Sequence, residues 1–384
     1  MTADATRLEL SSDPGRQRLA WRRTGRRAPG PGEVEIEVVA TGLNFRDCMW
    51  SMGLLPEEAL EDGFAGPTLG FECAGRIVRV GERVDGFAPG DAVIAFAPAA
   101  FASHVTVAAE AVASLPAGIC LDAAATIPVA FITAYYALDH LARLAPGDSL
   151  LIHGGAGGVG LAALQIARRR RARVFATAGS AEKRELLRLL GADHVLDSRS
   201  LAFVDDVLAL TGGSGVDVVL NSLAGEAMER SLGLVRPFGR FLELGKRDFY
   251  GATKIGLRPF RRNVSYFGID ADQLLAQKPE LARCLFAELI AHLEAGTFVP
   301  LPYRRFEARE VADAFRLMQQ SGHIGKIIVT PPVPESVPAE LTPAAFVADP
   351  DGAHIVIGGL GGFGLATARW LVERGADRNG VGVD

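Results

Sequence analysis

The chain has 384 residues, 49% of them hydrophobic and 22% charged; at roughly 150 residues per folding unit this allows two to three units, and global disorder is excluded. Forty Lys and Arg stand against 45 Asp and Glu, a net charge of −5, so there is no electrostatic reason to bind nucleic acid or an anionic membrane. Four cysteines, at 48, 73, 120 and 284, form no CxxC pair, which argues against a zinc ribbon or a disulfide framework and for a reducing, cytoplasmic setting. The start, MTADATRLEL, is too polar for a signal peptide, and the most apolar run, residues 121–141, is interrupted by Asp122, Pro128 and Asp139. No membrane span is expected.

Residues 33–110 read as short strands. Val34, Ile36 and Val38 alternate with polar residues, and residues 76–96 alternate around turn signals at Gly81, Gly86 and Pro89-Gly90-Asp91. From about residue 120 the texture changes to strand, helix, strand, helix: 149–152, 161–171, 173–178 and 181–190, with further strands at 216–220 and 240–244 and a helix at 279–294. That alternation predicts βαβ units on a parallel sheet. Residues 303–330 return to a mixed texture, and four prolines between Pro331 and Pro338 predict a stiff, extended linker. Beyond it, residues 354–357 and 365–374 predict one more strand and helix around a second glycine cluster, with no second strand to follow.

The first cluster, Gly155-Ala156-Gly157-Gly158-Val159-Gly160, satisfies GxGxxG between a predicted strand and a predicted helix. The glycines permit a tight turn and close backbone approach, and the helix N-terminus offers free N–H groups to a pyrophosphate. About 20 residues on, an NAD site carries an acid for the ribose 2′-hydroxyl. Here the strand ends Ala176-Thr177-Ala-Gly-Ser180, and Lys183 and Arg184 follow, with Glu182 the nearest acid. Small hydroxyls with cations suit a 2′-phosphate, so NADPH is favoured, with Thr177, Ser180, Lys183 and Arg199 as its candidate ligands. Lys183 and Arg199 read equally as solvated surface residues.

Five motifs in order carry a resemblance: Gly42-Leu-Asn44-Phe-Arg-Asp47, the glycine loop, Val216-Asp-Val-Val-Leu-Asn221, Gly239-Arg-Phe-Leu-Glu-Leu-Gly245-Lys246 and Gly322-His-Ile-Gly-Lys326. Over about residues 5–331 the chain resembles the medium-chain dehydrogenase/reductase superfamily, and within it the enoylreductase domains of type I polyketide synthases and animal-type fatty acid synthases. The resemblance implies an α/β chain with a GroES-like, barrel-like substrate domain (1–120 plus 295–331) and an inserted Rossmann NADPH-binding domain (121–294). Asn44 and Thr133 then face the nicotinamide, Asn221 its ribose, and Gly245 and Lys326 join the cofactor site. Zinc-dependent relatives have Cys and His where this chain has Asn44 and Phe71, neither a substitute ligand, so no metal is expected.

The family's chemistry is hydride transfer to the β-carbon of an enoyl thioester and protonation at the α-carbon. Lys246, directly after a strand at the carboxyl edge of the sheet, is the candidate donor. The second candidate is an aspartate about two dozen residues on; Asp270 and Asp272 both qualify, and Asp270 is preferred although it reads equally as a helix N-cap. Some family members carry a tyrosine just before a proline that influences α-carbon stereochemistry; here Leu55 precedes Pro56.

The second cluster, Ile357-Gly-Gly-Leu-Gly-Gly-Phe-Gly364, resembles the opening of a ketoreductase domain, with Ile357 where Thr is usual. Residues 332–350 then read as linker and 351–384 as a truncated ketoreductase-like fragment. Expected partners are an acyl carrier protein bearing the enoyl thioester and neighbouring ketoreductase and dehydratase domains. The alternatives are a free-standing zinc-free quinone or enone reductase, and a catalytically degenerate scaffold domain.

Overall fold

The computed structural model describes residues 4–13, 16–61, 63–337, 354–356, 362–374 and 381–383, in two units, Met1–Val337 and Pro338–Asp384. In the first unit, β1 (Ala5–Asp13) and β2 (Arg16–Thr24) form an antiparallel hairpin. Then β3 (Glu33–Leu43) buries Val34, Ile36 and Val38 and runs into α1 (Phe45–Ser51) and α2 (Glu57–Glu61). Next come β4 (Glu72–Val80), β5 (Ala92–Phe96), β6 (His104–Ala108) and β7 (Val112–Ser114), antiparallel neighbours around β3. Alternating apolar residues on these strands meet in one core, which includes Ile36, Ile77, Val93 and Val105.

The apolar run 121–141 becomes α3 (Leu121–Ala124), α4 (Pro128–Tyr135) and a π-helical turn. Long and apolar enough to cross a membrane, it packs Ala124, Phe131, Ile132 and Leu138 into the largest core instead. There follow β8 (Ser149–Ile152), α5 (Gly158–Arg170), β9 (Arg173–Ala178), α6 (Ala181–Leu189), β10 (His194–Asp197), α7 (Ala202–Leu210), β11 (Val216–Asn221), α8 (Glu226–Gly233), β12 (Val235–Glu243), α9 (Lys246–Tyr250), β13 (Ser265–Gly268), α10 (Ala271–Gln277) and α11 (Pro279–Glu294). The six strands are all parallel, in the order β10-β9-β8-β11-β12-β13. This is the 3-2-1-4-5-6 order of a dinucleotide-binding sheet, whose crevice opens between β8 and β11 at their carboxyl ends. The sequence reading has no strand at Ser265–Gly268; four residues are too few to show a period. It also starts β12 five residues late, because Pro237 and Gly239 read as a turn where the β11–β12 register shifts.

The chain then returns to the first sheet: β14 (Tyr303–Glu307), α12 (Val311–Gln319) and β15 (Lys326–Thr330). β15 is antiparallel to β3, with Ile327 opposite Leu43, and this register sets Lys326 beside Asn44. Of the expected Pro-rich linker, residues 331–337 lie against this unit, where the Thr6 hydroxyl donates to Pro332 O (3.0 Å) and Val337 is buried; 338–350 lie outside the described residues.

In the second unit β16 (His354–Val356) is followed by α13 (Gly362–Glu373) and β17 (Val381–Val383). β17 pairs with β16 in parallel, so the expectation of no second strand is wrong; Val-Gly-Val is too short to declare itself. Residues 357–361, most of the second glycine cluster, lie outside the described residues.

Candidate active site

β8 ends at Ile152 and the glycine loop follows at the crevice. Gly157 caps α5 with extended backbone and no side-chain cap, and no acid occupies the first turn, so the N–H groups at Gly158, Val159 and Gly160 face outward as an anion site. A Cβ on Gly160 would fall 2.5 Å from Gly154 O and one on Gly155 would fall 3.1 Å from Leu187. Only glycine lets the turn close this tightly against α6. Ala156 O accepts from Gly325 N (2.8 Å), so the loop is tied to the segment that precedes β15.

Beyond β9, Ser180 caps α6 by accepting from Lys183 N (3.3 Å). Lys183 Nζ donates to Ser321 O (2.5 Å), and burial lowers its pKa. Arg199 is exposed and crosses Gly179, with Nε 3.3 Å from where a Cβ would be. Ser180, Lys183 and Arg199 thus gather at the end of β9. Thr177 does not join them. It is fully buried and its hydroxyl pairs with His153 Nδ1 (3.0 Å), because side chains alternate along a strand and Thr177 falls on the inner face. His153, its ring also on Ser231 (2.8 Å), is held neutral by burial, with a pKa of about 3.

At the end of β12, Gly245 caps α9 and Lys246 opens it. Lys246 Nζ lies 2.8 Å from Asp270 Oδ2, the two side chains 18% and 24% exposed. Asp270 also caps α10, its Oδ1 accepting from Asp272 N (3.0 Å). The sequence thus offers two readings of Asp270, acid partner and N-cap, and its two oxygens serve one each. The turn that carries Lys246 is set by Glu243, which accepts from Gly245 N and from Asn221 Nδ2, each at 2.6 Å. Burial raises Glu243 to about 7 against those two hydrogen bonds. Asn221 is therefore a second correction: it is fully buried, its amide shared between Glu243 and Leu223 O, and it supports the lysine turn instead of meeting a ribose. Gly245 likewise gives its N–H to Glu243.

Lys326 is the third correction. It is buried, and its ammonium is consumed by Leu43 O (3.0 Å), Asn44 Oδ1 (2.7 Å) and Glu72 Oε1 (2.6 Å). Asn44 Nδ2 donates to the same Glu72 oxygen (2.9 Å), and Glu72 Oε2 accepts from Val129 N (2.7 Å) at the start of α4. Lys326 thereby orients Asn44 from behind, while α4 carries Thr133 one turn on from Val129 and packs Ala130 near Gly158. A second buried pair lies below: Arg46 Nε to Asp272 Oδ2 at 2.9 Å, 6% and 3% exposed. Arg46 also donates to Thr68 O and Gly66 O, and Asp272 Oδ1 accepts from Ala65 N.

Matches to known proteins bear on this arrangement. Residues 30–127 match the alcohol dehydrogenase GroES-like domain, 158–285 the zinc-binding dehydrogenase domain and 352–379 the KR domain. The chain is 42% identical, over 97% of its length, to a phenolphthiocerol/phthiocerol polyketide synthase polypeptide of Mycobacterium tuberculosis, and it spans 17% of that protein. Against the crystal structure of CurK enoyl reductase it is 41% identical with a TM-score of 0.78, covering 86% of this chain and all of that one. The chain belongs to the polyketide synthase enoyl reductases. The family's fold, a GroES-like part with a parallel-sheet Rossmann part, is also shared with Escherichia coli quinone oxidoreductase complexed with NADPH, at 26% identity and a TM-score of 0.74 over 85% of this chain.

For this enoyl reductase the zinc in the matched domain's name finds no fitting donors. Asn44 and Phe71, the positions at which the resemblance implies ligands, offer neither thiolate nor imidazole, and Asn44 and Glu72 hold the Lys326 ammonium group. Cys48 and Cys73 are buried, with thiols pushed up to about 12 by burial; among the described residues no cluster of His, Cys, Asp and Glu could hold a metal. Arg46, Glu72 and Glu243 are what sequence reasoning passed over in this enoyl reductase. For Glu72 and Glu243 the signal was present: each is a charge inside a run of apolar residues, and such a residue is buried only with a partner.

Proposed function

We propose that the chain reduces the α,β double bond of a trans-2-enoyl thioester, tethered to an acyl carrier protein, with NADPH. The observation that carries this reading is the Lys246–Asp270 pair, half-buried at the carboxyl edge of the sheet, two strands from the glycine loop. The residues fit the cofactor: the loop 155–160 and the α5 N-terminus suit the pyrophosphate, Ser180, Lys183 and Arg199 suit a 2′-phosphate, and Asn44, held by Lys326 and Glu72, and Thr133 would line the nicotinamide end. Bound there, NADPH supplies the hydride that reaches the β-carbon.

As that hydride adds, negative charge gathers on the thioester oxygen. A fixed ammonium at Lys246 stabilises it, an effect on the order of 10²–10³ in rate for one preorganised donor. Protonation at the α-carbon from the same pair contributes on the order of 10²–10⁴. Asp270 holds the lysine in place, and Glu243 and Asn221 hold the turn beneath it. The match to a KR domain suits an enoyl reductase followed by a ketoreductase in a cytoplasmic synthase, with a dehydratase supplying the enoyl group.

The test follows NADPH absorbance with crotonyl-pantetheine and crotonyl carrier protein, beside NADH and a quinone. Thioester turnover with NADPH, greatest on the carrier protein, is the expected result. Robust quinone reduction with no thioester turnover would sink the reading in favour of a quinone reductase.

A further inference from the structure

Residues 321–326 reach across from the substrate half to the cofactor loop. Gly325 has φ +64, and a Cβ there would fall 1.9 Å from Pro302 O, so glycine is required for Gly325 N to meet Ala156 O and for the parallel bridge to Gly157. A Cβ on Gly158 would come 2.8 Å from Lys326 Cδ. At the other end Lys183 Nζ reaches Ser321 O (2.5 Å). The strap is therefore fastened both to the glycine loop and to the start of α6, the two places where phosphates of a dinucleotide would lie.

Between those fastenings stands His323. Its Nδ1 is buried and has no hydrogen-bond partner, although buried polar atoms ordinarily find one. Burial first, then the charges of Lys183 on α6 and Lys326 on β15, depress its pKa to about 4, against a hydrogen bond to the Leu317 carbonyl that acts the other way. A neutral ring with an open nitrogen between two cations lacks an anion: one that draws Lys183 to itself offsets the repulsion and accepts from Nδ1 once that atom is protonated.

We infer that His323 is a ligand for a phosphate of the bound dinucleotide and takes up a proton as the cofactor binds. The inference rests on the cofactor reading above. The strap's one other cation, Lys326, is turned inward to Glu72 and Asn44, which leaves the histidine to meet an anion at the loop. A proton gained on binding makes affinity rise as pH falls through the raised pKa of the bound state, and level off below that of the free protein.

The experiment uses the full chain, its His323→Gln variant, and NADPH and NADH as probes. Dissociation constants are read by nicotinamide fluorescence from pH 5.5 to 8.5, and proton uptake by calorimetry in two buffers of different ionisation enthalpy. For the wild type, tighter binding at low pH with uptake of a proton is expected. For His323→Gln, a loss of about tenfold in affinity near pH 6 is expected, the worth of one hydrogen bond to a charged group, together with a flat pH profile. A loss confined to NADPH assigns the 2′-phosphate, and an equal loss with NADH assigns the pyrophosphate; either supports the inference. If both proteins bind with the same constants and the same pH profile, the inference is overturned while the cofactor reading stands. If the wild type binds neither dinucleotide, the cofactor reading itself falls.

Discussion

Asp270 and Asp272 lie two residues apart at the start of α10, and each meets a cation at nearly the same distance, Lys246 at 2.8 Å and Arg46 at 2.9 Å. What separates them is the surroundings. Around Asp272 the carboxylate and guanidinium are both spent: Ala65 N, Thr68 O and Gly66 O take the remaining valences, and the pair is almost wholly out of water. It joins α1, the 63–68 loop and α10, and so fastens the substrate half to the cofactor half. Around Asp270 the pair is about a fifth exposed, at the carboxyl edge of the sheet. An aspartate paired with a cation is a clamp in one place and, on the function proposed above, the reactive pair in the other, and burial makes the difference.

The largest expected effect separates the two at once. Asp272→Ala leaves Arg46 charged and uncompensated in the interior and should cost about 3–5 kcal/mol, read as a fall in the urea midpoint. Lys246→Ala should change stability by no more than about 1 kcal/mol, as for partly exposed pairs, yet lower enoyl-thioester turnover by about 10²–10³ with NADPH affinity retained. A destabilised Lys246→Ala with normal turnover, or a stable Asp272→Ala, would invert the assignment.

A third acid, Glu243, has no paired cation among the described residues, and the comparison predicts a different dependence on pH. Burial raises its carboxyl from 4.5 to about 7. Below pH 4.5 folded and unfolded chains both carry the proton; between 4.5 and 7 the unfolded chain releases it while the folded chain keeps it. Its contribution to stability is therefore full below 4.5 and falls as pH rises to 7, by on the order of 3 kcal/mol. Glu243→Gln should flatten that fall, measured as urea midpoints at pH 5 and pH 7.5. An unchanged pH slope would mean that Glu243 is ionised in the folded protein across that range.

The sequence makes legible whatever depends on local pattern. The strand and helix period marks β8, β9, β11 and β12 of the parallel sheet, and GxGxxG in that setting marks the loop. Family motif and strand-end position single out Lys246 and Asp270, whose side chains the structure sets 2.8 Å apart. What the sequence could not show is which way a side chain turns at a strand end. Thr177, Asn221 and Lys326 all lie beside the expected site in sequence, and each faces inward to a partner 24, 22 and 254 residues away, His153, Glu243 and Glu72. Such pairings are settled only when the two sheets are brought together, as the β15–β3 register does for Lys326. The same limit hid the difference between Asp270 and Asp272, since partners of each, Lys246 and Arg46, come from opposite halves of the chain.

The smallest effect divides Asp270 against itself. One oxygen caps α10 and the other holds Lys246, so the two functions can be removed separately. Asp270→Asn keeps an oxygen able to cap and loses the charge; Asp270→Ala loses both. The cap should appear as about 1 kcal/mol of extra destabilisation in the alanine variant. Turnover should fall to a similar extent in both, because catalysis depends on the charge and not on the cap. If Asp270→Asn turns over like the wild type while Asp270→Ala does not, the aspartate acts only by fixing α10, and Lys246 needs no charged partner.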